Sequence, residues 1–172
     1  MRYEFAHQLL PDWSVDEQAL IDKTIDCVLH LPDHKVIERL AQHIFAITQV
    51  DYVTISKVIN NEPAELGTLT FLKHGKALDN VTYFAAGTPC ENVLSHSIFY
   101  YPAGVQEQFP EDIYLQHLHV NSYLGIPLND SENNAIGLVA LLHETTILNP
   151  GFIDHLLNII APTLEEYLLK AS

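Results

Sequence analysis

An α+β fold, with an antiparallel sheet covered by helices on both faces, is what this chain predicts. Three observations carry that reading. Apolar residues recur at helical spacing near both ends, they alternate at strand spacing through the middle, and both alternating sets are apolar in one late segment, residues 136–143.

The first helix opens at Ser14-Val15-Asp16-Glu17. This is a capping box, in which the Ser hydroxyl and the Glu carboxylate each satisfy an amide that the helix start leaves free. The helix runs to about residue 31, with Leu20, Ile21, Thr24, Ile25 and Val28 as its apolar stripe, and Pro32 stops it. Asp33 is placed to cap a second helix, in which Val36, Leu40, Ile44 and Ile47 recur up to about Gln49. The period then shortens. Val53, Ile55 and Val58 among Thr54, Ser56 and Lys57, and Leu69 and Phe71 alternating with Thr68 and Thr70, predict two antiparallel strands joined across Asn60-Asn61-Glu62-Pro63. A third strand covers residues 81–86, and two more cover 122–128 and 136–143, with the polar insert 129–134 as a hairpin turn. Ile136, Leu138, Ala140 and Leu142 on one side and Val139 and Leu141 on the other mark the last strand as central and covered on both faces. Asn149-Pro150-Gly151 opens a C-terminal helix, where the missing N–H of proline costs little.

Composition narrows the function. The chain has 172 residues, 48 % of them hydrophobic and 17 % charged, which fits one folded domain and excludes a disordered tail. Its net charge of −14, with no cluster of basic residues, disfavours nucleic-acid binding, which begins with phosphate neutralisation. Glu4 interrupts the N-terminus where a secretory signal would begin its apolar run, and the longest apolar run, 135–142, is too short for membrane insertion. Cys27 and Cys90 are the only cysteines and lack a CxxC spacing. The expectation is a reduced, cytoplasmic protein.

Thr88-Pro89-Cys90-Glu91 reads as a second capping box at an abrupt strand-to-helix turn. Cys90 falls in the first helical turn, where free amides and the helix dipole favour a thiolate and Glu91 opposes one. It reads either as a structural residue or as a reactive or ligand-touching thiol. The turn-rich stretch 100–112, with Tyr100 and Tyr101, reads either as a binding segment or as lid packing. In 122–128, Leu124, Ile126 and Leu128 face a core, while Tyr123, Gly125 and Pro127 leave room for a ligand or an overlying loop. His117 and His119 are the closest histidine pair but fit no zinc spacing, and no nucleophile elbow, Walker loop, dinucleotide fingerprint or HExxH motif occurs. Ile153, Leu157, Ile160, Leu164 and Tyr167 step as a two-heptad seam, with Phe152, Leu156 and Ile159 as a second stripe. Such a helix can serve a partner or its own sheet.

The ordered set Gly87-Thr88-Pro89-Cys90-Glu91, Tyr101-Pro102, Gly104-Val105, Phe109-Pro110 with Asp112 and Leu115, 122–128, Asp130-Ser131 and Ile136-Gly137 resembles a GAF domain. It is most similar to the bacterial subgroup that precedes histidine kinase, PAS or diguanylate cyclase modules. The resemblance implies a sheet of about six strands, a pocket roofed by residues 87–119, and homodimerisation through terminal helices. It divides the chain into an N-terminal extension and helix, 1–32, and a GAF-like sensory domain, 33–172. The Asn-Lys, Phe, Asp-Glu signature of cyclic-nucleotide GAF domains is missing; Cys90 is followed by Glu91 where bilin-attaching domains usually have His; and with Cys27 in the N-terminal helix, Cys90 lacks the cysteine cluster of the free methionine sulfoxide reductases of this fold.

The expected function is a sensory or regulatory module that binds a small molecule or partner and passes a signal along its terminal helices to an output domain. It is expected not to be an enzyme, and the identity of any cofactor is left open. Tyr83, Cys90, Tyr100, Tyr101, Tyr123 and His143, all near the irregular segment, are the candidate ligand-binding residues. The alternatives are a structural dimerisation module without a ligand and a thiol-dependent redox enzyme using Cys90.

Overall fold

The capping box closes as the sequence requires: Glu17 N–H donates to Ser14 Oγ at 3.2 Å, and Ser14 N–H donates to Glu17 Oε2 at 2.9 Å. It starts helix α1, Val15–Leu29. The structure, a computed structural model, describes residues 12–32, 34–95 and 97–171. Only Ile21 and Thr24 of the expected stripe are fully buried, and Ile25 is exposed. Helix α2, Val36–Thr48, follows Lys35, whose backbone is left-handed and gives no side-chain cap. Asp33, expected to cap it, lies outside the described residues, as does the N-terminal stretch that includes Glu4.

Strands β1, Tyr52–Asn61, and β2, Ala64–Lys73, form the expected antiparallel hairpin. Two short strands follow, β3, Lys76–Ala77, and β4, Thr82–Phe84, each pairing with β2. Helix α3, Pro89–Ser95, strand β5, Phe99–Tyr101, and helices α4, Val105–Gln108, and α5, Ile113–His117, make up the irregular middle. Strands β6, Ser122–Asn129, and β7, Ala135–His143, and helix α6, Pro150–Lys170, complete the chain. The sheet has seven strands in the order β3-β2-β1-β7-β6-β5, with β4 beside β2. β7 is central, as its two apolar faces require. β3 and β5 were not expected: two- and three-residue strands carry too few alternations to register against turn residues.

Alternation along β7 divides the core in two. Val139 and Leu141, with Val53 and Ile55 of β1 and Leu124 and Ile126 of β6, face α2 and α6. Leu138, Ala140 and Leu142, with Tyr52 of β1 and Tyr123 of β6, face the roof made by α3, α4 and α5. The heptad seam of α6 is spent inside the domain: Ile153, Leu157, Ile160 and Leu164 are all buried against the sheet. Tyr167 alone of that set remains partly exposed. The second stripe is also covered, since Phe152 and Leu156 pack with Ile21 of α1. Pro162 lies within α6 without ending it. No helix among the described residues is long and apolar enough to cross a membrane.

Candidate functional site

The roof and the sheet do not meet everywhere. Between them lies a small, mainly apolar cavity of about 50 Å³. Its floor is Thr54, Thr68, Phe71, Ala140 and Leu142, and its roof is Pro89, Cys90, Leu115 and Leu118. Tyr83, Tyr114, Tyr123 and Asp112 also border it.

The strand-to-helix turn places the sulfur. Gly87 takes the left-handed backbone at φ +76°, where a side chain is strained, and the chain turns into α3 two residues later. The expected capping box is displaced. Thr88 Oγ1 donates back to Ala85 O at 2.7 Å, and the Glu91 carboxylate accepts the Gly87 N–H at 3.1 Å, one residue further back than the motif places it. Cys90 then sits buried between two phenols, with Sγ 3.3 Å from Tyr83 Oη and 3.3 Å from Tyr123 Oη.

Burial pushes the Cys90 thiol up from its ordinary value of 9.0, outweighing the hydrogen bonds from Tyr123 and Tyr83 that pull it down. Of the two readings of Cys90, the dipole-favoured thiolate is opposed by desolvation, which penalises the charged form more than one helix turn helps it. Tyr83 and Tyr123 are also held well above the phenol value, first by burial and then by the neighbouring Cys90. At neutral pH the trio is an uncharged chain of weak donors and acceptors.

Gly125 explains how Tyr123 reaches the sulfur. A Cβ at Gly125 would lie 2.6 Å from Tyr123 Oη and 2.7 Å from a methyl of Val93, so the space beside it is taken by the tyrosine ring and α3. Of the two uses foreseen for this face, the overlying element is the one realised at Gly125. The free space lies across the pair, over Ala140 on β7.

Asp112 caps α5: its Oδ1 accepts the N–H groups of Tyr114 at 3.0 Å and Leu115 at 3.3 Å. Burial raises its carboxyl pKa, with those two bonds opposing. Ser56 of β1 stands on the same sheet face as Thr54, fully buried, and its hydroxyl lies near enough to Tyr83 to oppose the rise of that phenol.

Of the six candidate residues, the structure brings Tyr83, Cys90 and Tyr123 to the cavity wall. Tyr101 is one shell away, its ring 6.3 Å from that of Tyr123 and its hydroxyl accepting from Asn92 Nδ2 at 3.0 Å. Tyr100 points the other way, because neighbours in a strand alternate: its ring joins the α2 and α6 side and its hydroxyl donates to Ile147 O at 2.6 Å. His143 ends β7 outside the cavity, with Nδ1 2.7 Å from Asp51 Oδ2. Sequence reasoning passed over Asp112, Ser56 and Ala140. Ala140 could have been found as the one small residue between Leu138 and Leu142 on a buried face. Among the described residues, no three His, Cys, Asp or Glu side chains are grouped to hold a metal.

A comparison with curated proteins finds no match. Solved structures with the same fold include the GAF domain of an Acinetobacter phosphoenolpyruvate-protein phosphotransferase, with TM-score 0.70 and 12 % identity over 92 % of this chain and 96 % of that one. The chromophore-binding domain of a Stigmatella aurantiaca bacteriophytochrome superposes with TM-score 0.69 and 14 % identity, over 92 % of this chain. That of a bacteriophytochrome from R. palustris gives 0.68 and 9 % over 91 %. The chain spans 61 % and 63 % of the lengths of those two phytochrome chains. The family model of the GAF domain matches residues 34–161. With the sheet order and the roofed cavity already in place, that match over most of its length makes this chain a member of the GAF domain family, whose members are sensory small-molecule-binding domains.

Proposed function

We propose that the domain is a ligand sensor: a small molecule occupies the cavity between sheet and roof, and the change is passed through the sheet to α6 and α1. The observation that carries this is the cavity itself, apolar space bordered by a few placed polar groups. Strand alternation supplies the route. Ala140 and Leu142 border the cavity, while Val139 and Leu141, one residue away on the same strand, pack under α6, and α6 packs on α1. A ligand shifts such a system only by its differential affinity for two arrangements, and helix shifts of about 1–2 Å are a typical output.

In this reading the domain belongs to the bacterial subgroup that precedes histidine kinase, PAS or diguanylate cyclase modules, works in the cytoplasm, and pairs with a second copy through its terminal helices. Ile25 and Leu29 on α1 and Tyr167 and Leu169 on α6 support the pairing, because they remain exposed apolar side chains after both α6 stripes are packed. It is not an enzyme. A buried thiol with a raised pKa is a poor nucleophile, which argues against redox chemistry at Cys90.

The test is a thermal-shift screen of small metabolites on the wild type and on Ala140→Val, whose added methyl groups enter the cavity. Compounds that raise the midpoint of the wild type and not of the variant support the reading. Compounds that act equally on both remove the cavity as the site. Sedimentation tests the pairing, and a strict monomer at high concentration contradicts it.

A further inference from the structure

The cavity's border says which charge it takes. An anionic ligand needs a cation or a cluster of N–H donors, and no Lys, Arg or His borders the cavity among the described residues. The one charged group is the Asp112 carboxylate. Its Oδ1 is held by two backbone amides, and no donor meets Oδ2 among the described residues. It is close enough for its charge to act on Tyr83, Cys90 and Tyr123 alike.

Aromatic rings complete the setting. Tyr83 and Tyr114, with ring centroids 6.2 Å apart and planes at 59°, form a corner of the cavity that Asp112, Phe71 and Tyr123 also border. Rings that meet at an angle next to a carboxylate are how proteins hold alkylated ammonium groups, whose charge is spread over apolar surface. The chain's net charge of −14 also draws cations toward it.

Size sets the other limit. Since one water takes roughly 10–15 Å³ in the same measure, the cavity of about 50 Å³ holds about three to five non-hydrogen atoms. From these features we infer that the ligand is a small organic cation, an alkylated ammonium group seated between the Tyr83 and Tyr114 rings and the Asp112 carboxylate. This rests on the cavity being the ligand site, as proposed above, and adds the chemical class.

The experiment is an NMR titration of the wild type, of Asp112→Asn and of Ala140→Val with tetramethylammonium, tert-butanol and pivalate, cationic, neutral and anionic probes of similar shape. Asparagine is as good an N-cap as aspartate, so Asp112→Asn removes the charge and keeps the start of α5. The expected result is saturable binding of tetramethylammonium at least about tenfold tighter than tert-butanol, no binding of pivalate, and loss of that margin in Asp112→Asn. Binding of tert-butanol equal to that of tetramethylammonium, abolished in Ala140→Val, overturns the cation class and leaves the cavity as the ligand site. Tighter binding of pivalate overturns it in the same way. Binding that persists in Ala140→Val, or no saturable binding of any probe, overturns this inference, and the former overturns the cavity reading as well.

Discussion

Ala140→Val is the substitution whose outcome follows most directly from the cavity. Ala140 is 2 % exposed on the central strand β7, paired to Thr54 on β1 and Gly125 on β6, and its methyl borders the void. Valine adds two carbons there. At about 0.8 kcal/mol per buried methylene, filling the space contributes up to about 1.6 kcal/mol. Valine also suits a strand better than alanine. Overpacking costs about 1–3 kcal/mol where a core has no room; the free space beside Ala140 receives the added carbons, so imperfect fit takes back only a minor part of this gain. The net expectation is a gain of about 1 kcal/mol, which for a domain of this size raises the unfolding midpoint by about 2–4 °C. Urea denaturation followed by circular dichroism, with a thermal scan beside it, reads both quantities. A loss of about 1 kcal/mol or more would mean that the wall beside Ala140 has no room, and the argument from the cavity would fail.

Gly125→Ala should do the opposite: its Cβ would fall within 2.8 Å of the Tyr123 ring and of Val93, so a loss of about 1–3 kcal/mol is expected in the same urea assay. Ser56→Ala removes a buried hydroxyl that makes no close hydrogen bond and only a long contact to the Tyr83 phenol, so it should change stability by less than about 1 kcal/mol; a larger loss would show that Oγ is firmly bonded. The alkaline side of the stability curve should be steep. Cys90, Tyr83 and Tyr123 all have pKa values raised in the fold, so in each window the native state holds protons that the unfolded chain has released. Their stabilisation is complete below the unfolded values of about 9 for the thiol and about 10 for the phenols, and it is lost as pH rises through the folded ones. Urea midpoints that stay level from pH 8 to pH 10 would contradict this. Iodoacetamide should label Cys90 in the folded protein more slowly than a free cysteine at neutral pH; equal rates would place the thiol in solvent.

Much of this architecture was readable because long elements repeat their pattern often enough to be unambiguous. Ser14 to Glu17 mark the start of α1, and the two apolar faces of β7 place it at the sheet's centre. Short elements were not readable. β5 spans three residues, so the alternation that turns Tyr100 away from Tyr101 was hidden among turn residues, and both were assigned to one site. The α6 seam was legible as periodicity but not as destination, since a stripe facing its own sheet and one facing a partner have the same spacing. The cavity depends on which side chains are small where two layers fail to meet. That is a property of Ala140 and Asp112 together, 28 positions apart in the chain, and no local pattern expresses it.

In the proposed reading the space between sheet and roof holds a small molecule. Mass spectrometry of the freshly purified chain under native and then denaturing conditions tests it most directly, with Ala140→Val run alongside. An added small mass on the wild type, lost on denaturation and missing from the variant, is the expected result. An added mass retained by Ala140→Val, or a bare wild-type chain that stays bare when incubated with the compounds active in the thermal screen, would contradict it.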